Sequence, residues 1–197
     1  MKKSASILSA GIIVLAFVLI LRSAFSLTKE PEDTVVGVSA SWSKGYDTVE
    51  QMEEASDIII SGRIKHSEPE VRENLVFTMN HIEVLSVHKG SNISVGDTIK
   101  LLQTGGTFKG KTTVAFSEIP LLQEEVEYLL FLYKSPADKL YEEYYLIMGG
   151  FQGVASKTME GSYRALSSAN SKFIEDSADR FAAITTQTNK AEKEVLQ

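Results

Sequence analysis

The chain has 197 residues, of which 20 are basic and 26 acidic, giving a net charge of -6, and it contains no cysteine. The absence of thiols excludes disulfides, thiol catalysis, zinc-thiolate sites and a lipidated cysteine. An acidic balance with no run of Lys or Arg repels phosphate backbones, so nucleic acid is not an expected partner.

The first feature in chain order is an apolar segment. Lys2 and Lys3 precede an uncharged run from Ser4 to Leu21, with its apolar centre at Ile7 to Ile20, and Arg22 closes it. That run sits at the short end of the ~17–25 residues that cross a bilayer. Ala24 and Ser26 are small enough for cleavage after Ser26. Residues 1–26 therefore read as a signal peptide or as a single membrane anchor. Lys2, Lys3 and the amino terminus outweigh Arg22, which puts the N-terminus inside and the domain outside. The expected location is the cell membrane, or the exterior after cleavage near Ser26. Residues 1–26 carry Lys2, Lys3 and Arg22 but no acid, so the exported part is more acidic than the whole, which also disfavours anionic lipid. Residues 27–33, with Pro31, form a linker; residues 34–165 read as one β domain and residues 166–197 as a C-terminal amphipathic helix, packed on that domain or extending from it.

Within the domain the apolar pattern is mostly of period two. Thr34 to Ser41 is the first strand candidate. Val49, Met52 and Ala55 then recur every third residue, predicting a short helix from Asp47 to Ser56 capped by Thr48 with Gln51 or by Asp47 with Glu50. It leads directly into a strand from Asp57 to Lys65, with Ile58, Ile60 and Ile64 on one face and Gly62 marking a bulge or a close approach. A polar turn is expected around Pro69. Leu75 to His88 follows as a long strand whose alternation slips between Met79 and Ile82, predicting a bulge near Asn80 and His81 and hence curvature. Further strands are expected at Thr98 to Gln103, Thr112 to Phe116, Val126 to Lys134, Glu143 to Met148 and Gly153 to Lys157. Val126 to Lys134 is apolar on both faces, as a central strand covered on both sides would be. From Ser171 to Leu196, Ile174, Ala178, Phe181, Ala182 and Thr185 share one helical face that would pack on the sheet.

The runs TVEQMEEASDIIISGRI, EVLSVHKG, GDTIKLLQTGG, EEVEYLLFLY and IMGGFQG together resemble a group of small exported Gram-positive bacterial proteins of unassigned function. Their order over residues 48–157 also resembles netrin-like domains. That resemblance implies a mainly β, OB-like Greek-key barrel with a short helix before the first core strand and a C-terminal helix, preceded here by the N-terminal apolar helix. Barrels of this type commonly bind ligands across one face and its loops. Inhibition of an extracellular metalloprotease through a cysteine-led N-terminus, which netrin-like domains also suggest, has no cysteine to carry it here.

Two glycine-rich elements pair a glutamine with glycines: Gln103, Gly105 and Gly106, and Gly150, Gln152 and Gly153 after Gly149. Exposed backbone amides beside a side-chain amide suit a carbohydrate or a peptide edge, and the same residues also suit tight turns and bulges. The histidines His66, His81 and His88, with Glu68 and Glu70, are the residues from which a metal site would be assembled. No Gly-x-Ser-x-Gly elbow, phosphate loop or dinucleotide motif is present, and no cofactor is expected. Trp42, Tyr46, Tyr141, Tyr144 and Tyr145 are expected in or beside loops, where aromatic faces contact sugars or proteins. Asn92-Ile93-Ser94 matches a glycosylation acceptor, which has meaning only in a eukaryotic secretory pathway. The sequence thus supports a noncatalytic extracytoplasmic module that engages an exported protein or a glycan through barrel loops. The alternative is a hydrolase or metal-dependent enzyme with a site around His81 and His66, which requires those histidines in a pocket with acids converging on them.

Overall fold

Isoleucines at 58, 59, 60 and 64 and the run from Tyr128 to Leu132 have the branched and aromatic side chains that pleated strands accommodate, and these two segments pair at the centre of the structure. A computed structural model describes residues 34–38, 45–115, 120–134, 144–166 and 171–195. The segment 1–26 and the linker 27–33 lie outside them. Among the described residues no helix is long and apolar enough to cross a membrane.

The fold is mainly β. In chain order it comprises β1 (Thr34–Val38), α1 (Val49–Ala55), β2 (Ile58–Arg72), β3 (Leu75–Lys89), β4 (Thr98–Thr104), β5 (Gly106–Phe108), β6 (Lys111–Ala115), β7 (Glu127–Lys134), β8 (Tyr145–Ile147), β9 (Val154–Lys157), β10 (Tyr163–Ala165), α2 (Ser171–Asp176) and α3 (Ala178–Val195). The larger sheet runs β10-β9-β7-β2-β3-β4-β8, with β8 also paired to β7, and the smaller one runs β1-β6-β5. β8 meets β7 over three antiparallel pairs but meets β4 at a single parallel pair, Leu101 opposite Tyr145. The sheet is barrel-like and not closed, because one pair does not make a continuous ladder.

β7 divides the interior into two cores. Tyr128, Leu130 and Leu132 join Ile58, Ile60, Ile64, Ile82, Val84 and Leu101 on one side. Leu129 and Phe131 join Ile59, Met52, Ile174, Phe181 and Ile184 on the other. Helices therefore cover only that second face. Thr48 caps α1, accepting from Gln51 N at 3.3 Å, while Gln51 Oε1 accepts from Asp47 N at 3.3 Å. Val49 and Met52 are buried as the period predicts; Ala55 is exposed and Ser56 is buried in its place. The C-terminal helix is two helices, since the backbone turns at Ser177, and the buried stripe is Ile174, Phe181 and Ile184, with Ala178 and Ala182 exposed. The break shifts the helical phase, so the face counted along one continuous helix is not the one that packs.

The curvature sits in the β2–β3 hairpin. Its register shifts at three places, and β2 and β3 each contribute unpaired residues there. Gly62 lies at one shift: a Cβ there would meet Ile82 Cγ2 at 2.5 Å and Glu83 O at 3.2 Å. Bulge and close approach thus coincide. Near His81 the extra residue is Lys65 on β2, not a residue of β3. From Val76 to Val84 β3 keeps one phase, burying Val76, Thr78, Asn80, Ile82 and Val84 on its inner face. The apparent slip arose because Thr78 and Asn80 are polar residues on the core side. The turn is at Glu73 and Asn74, both with positive φ, rather than at Pro69, which pairs with Thr78 inside β2. β7 flanks β2 as far as Arg63 and the last backbone bonds on that side are those of Ile64 with Glu125 and Val126, so at Pro69 that edge carries no ladder and a proline costs no ladder bond. The short strands β5 and β10 are too brief to show a period.

Leu130, with no exposed surface, gives the sharpest test of this arrangement. Leu130→Asp places an unpaired charge between β2 and β9, and the variant should show no cooperative thermal unfolding. Gly62→Ala should destabilise by about 1–3 kcal/mol, through the forced shift of Ile82, measured by denaturant unfolding.

Candidate functional site

Both glutamine-glycine elements use their amides inside the fold. Asn80, fully buried, accepts from Ser67 Oγ at 2.8 Å and donates to Gln103 Oε1 at 3.4 Å. Gln103 Oε1 also accepts from Leu122 N at 3.1 Å, and its Nε2 donates to Pro120 O at 3.0 Å. Gln103 thereby holds the loop before β7 onto the sheet. Thr78 Oγ1 donates to Gly105 O at 2.7 Å, and a Cβ on Gly106 would meet Thr78 Oγ1 at 2.8 Å. Gln152 brackets Tyr46: its Oε1 accepts from Tyr46 N at 2.9 Å and its Nε2 donates to Tyr46 O at 2.8 Å. Gly150 has positive φ in the turn after β8, and Gly153 lies against Phe131 O and Met148 O, where a Cβ would come within 3 Å. The six residues occupy two separate places, one beside Thr78 and Leu121, the other beside Tyr46 and Phe131.

The histidines divide. His66 and His81 are cross-strand partners with ring centroids 5.8 Å apart. His81 Nε2 lies 3.0 Å from Glu68 Oε1, and His66 Nδ1 lies 3.6 Å from Glu124 Oε1. The hydrogen bond from His81 holds Glu68 below the usual carboxylate range. Glu70 is elsewhere, paired with Arg72 at 2.7 Å. His66, Glu68 and Glu124 are exposed on an open hairpin face rather than in a pocket, and among the described residues no three His, Asp or Glu side chains are arranged to hold a metal ion. Of the aromatics, Tyr46 is buried, and Tyr144 stacks with Arg72 at 4.9 Å. Tyr145 is half-buried in β8. Trp42 and Tyr141 lie outside the described residues.

His88 is elsewhere, half-buried against the C-terminal helix. Its Nε2 is 2.8 Å from Ser61 Oγ, which is 3.3 Å from the Tyr163 hydroxyl, and the ring also bonds the Ile184 backbone of α3. A serine, an imidazole and a phenol thus join β2, β3 and β10 beneath the C-terminal helix. Ser61 itself is buried, at 5% exposed.

A cleft that opens to solvent was not visible in the sequence. About 500 Å³ in volume, it lies between the 120–126 loop and β9–β10, and is lined by residues that include Leu121, Val126, Tyr128, Ser156, Arg164 and Leu166. Gln103 positions the loop, as described above. Tyr128 accepts from Gln123 N at 3.0 Å, which fixes the loop's other end. Arg164 Nε donates to Ser156 Oγ at 3.3 Å, and the guanidinium lies close enough to the Tyr128 phenol to oppose the upward push of burial on it. Arg164 makes no ion pair among the described residues. Lys157, at the rim, is held by Glu127 at 2.6 Å, an interaction that raises it above the usual lysine range. Arg164 was missed because it sits in β10, whose three residues carry no periodic signal; an arginine between Tyr163 and Ala165, amid apolar neighbours, was the one cue available.

Burial pushes His88 down to about 4 from its ordinary 6.5, against the opposing pull of the Ile184 bond. The unfolded chain takes up a proton below about 6.5, whereas the folded one does so only near 4. Stability from neutral His88 is therefore complete above 6.5 and is lost as the pH falls from 6.5 towards 4. Thermal melts across that window should show a loss on the order of 2 kcal/mol, and His88→Gln should flatten that dependence. Set against protein-family models, characterised proteins and solved structures, the chain matches none.

Proposed function

We propose that this protein is a noncatalytic binding module displayed on the outer face of the membrane, or released from it, that engages a protein or a glycan through the loops of an OB-like Greek-key barrel. The strand order supports that architecture: β2, β3 and β4 form a meander, β8 runs parallel to β4 and antiparallel to β7, and β7 returns to β2. The N-terminal segment with its basic tip supports export.

The observation that carries the binding reading is the cleft under the 120–126 loop. It is wide enough for part of a ligand, is lined by both polar groups and apolar side chains, and is bounded by a loop pinned at Gln103 and Tyr128. Concave sites that combine a few placed polar groups with apolar walls are the usual form of a ligand site. The glutamine-glycine elements act in this reading as supports. Gln103 holds the loop, and Gln152 holds the segment before α1.

A photo-crosslinking residue at Gln123 in the full-length protein, expressed in native cells, tests the proposal. Capture of the same exported protein or glycan from Gln123 and not from Val114, an exposed position of β6, is the expected result. Equal capture from both positions would remove the cleft as the binding edge. His81→Ala should leave that capture unchanged; if it instead abolished a metal-dependent hydrolysis by the purified protein, the enzyme alternative would replace the module.

A further inference from the structure

We infer that the cleft recognises the carboxylate of a ligand with an apolar body, and that Arg164 is the residue that binds it. The inference rests on the binding-module reading and specifies its chemistry. An acidic protein has placed a guanidinium in the lining of an open cleft where, among the described residues, its side chain bonds only the neutral Ser156 hydroxyl and lies near the Tyr128 phenol. The neighbouring cation, Lys157, is already neutralised by Glu127. Among the described residues that line the cleft, Arg164 is the one cation without an ion pair, and its single charge matches a monoanion.

Charge and shape together narrow the ligand. A phosphate dianion would bring a second negative charge that no free cation in the cleft offsets, and burying it uncompensated is costly. The planar guanidinium instead forks onto a carboxylate. Leu121, Val126 and Leu166 line the rest of the cleft, so a ligand carrying only charge would leave apolar wall in water. A carboxylate attached to an aliphatic group fills both halves. The free C-terminus of a peptide ending in an aliphatic residue and a short fatty acid share this chemistry.

The test uses the full-length chain in mild detergent and 15N TROSY spectra. N-acetyl-leucine represents the peptide end, hexanoate the fatty acid, N-acetyl-leucinamide the uncharged control and inorganic phosphate the charge-only control. Either carboxylate should shift resonances within 120–128 and 154–166, and which of the two does so identifies the source. The amide and phosphate should leave them in place. Arg164→Gln should weaken the carboxylate response at least about tenfold, the loss expected when a hydrogen-bonded charge partner is removed, whereas Arg164→Lys should retain part of it. Both variants lie on an exposed side chain and should melt as the parent does. Equal shifts from N-acetyl-leucinamide or phosphate, an unchanged response in Arg164→Gln, or no response to either carboxylate would overturn the inference. A neutral ligand crosslinked at Gln123 in the parent and in Arg164→Gln alike would overturn it too, while leaving the module reading standing.

Discussion

The structure depends on β7 being buried on both faces. Its alternating side chains, Tyr128, Leu130 and Leu132 against Leu129 and Phe131, are each at most 2% exposed, and a shift of one residue would exchange the two sets between cores of different shape. Because each such side chain contributes roughly 1.5–3 kcal/mol on burial, the strand's register is strongly specified. β2, β9 and β8 take their places from it: Ile60 opposite Leu130, Leu129 opposite Ala155, Leu132 opposite Ile147. The helices then have one apolar face to cover, and Met52, Ile174, Phe181 and Ile184 cover it.

Curvature follows from the β2–β3 hairpin. A flat hairpin of two fifteen-residue strands would not bring β8 near both β4 and β7. Its register shifts bend it, and Gly62 permits the approach to Ile82 that the bend requires. Thr78 and Asn80 lie on the inner face of β3, where apolar residues would otherwise be expected. Their hydrogen bonds to Gly105 and, through Gln103, to the 120–122 backbone replace the water they lose. A buried polar network on the sheet thus becomes the anchor of a surface loop, and the loop becomes one wall of the cleft. The Ser61, His88 and Tyr163 cluster plays a corresponding part on the other face, tying β2, β3 and β10 to the backbone of α3.

Much of the fold was legible along the chain. The capped α1, the isoleucine strand, the two-faced β7 and the packing of the C-terminal segment all carry local signals of period or capping. The errors have physical causes. Polar residues on the core side of β3 imitate a change of phase, Pro69 is tolerated because β2 has lost a neighbour by that point, and the turn at Ser177 re-phases the last helix. The candidate site was less legible. Glycines beside glutamines mark both binding edges and tight turns in the same letters, and here the amides of Gln103 and Gln152 bond to the protein's own backbone. The proximity of His66 and His81 across one rung of the hairpin depends on register, which composition does not reveal.

By itself the sequence determined the elements whose cause is local: an apolar segment with a basic tip, the absence of disulfides, an acidic composition, and strands and helices written in their own periodicities. The tertiary structure decided what those elements do to one another. Whether Arg164 has a carboxylate partner, whether His88 is wet or dry, and which residues border an open cleft are fixed by segments that lie far apart in the chain. Electrostatic and solvation energies depend on distance in space, so a residue's chemistry is settled only when the fold has chosen its neighbours.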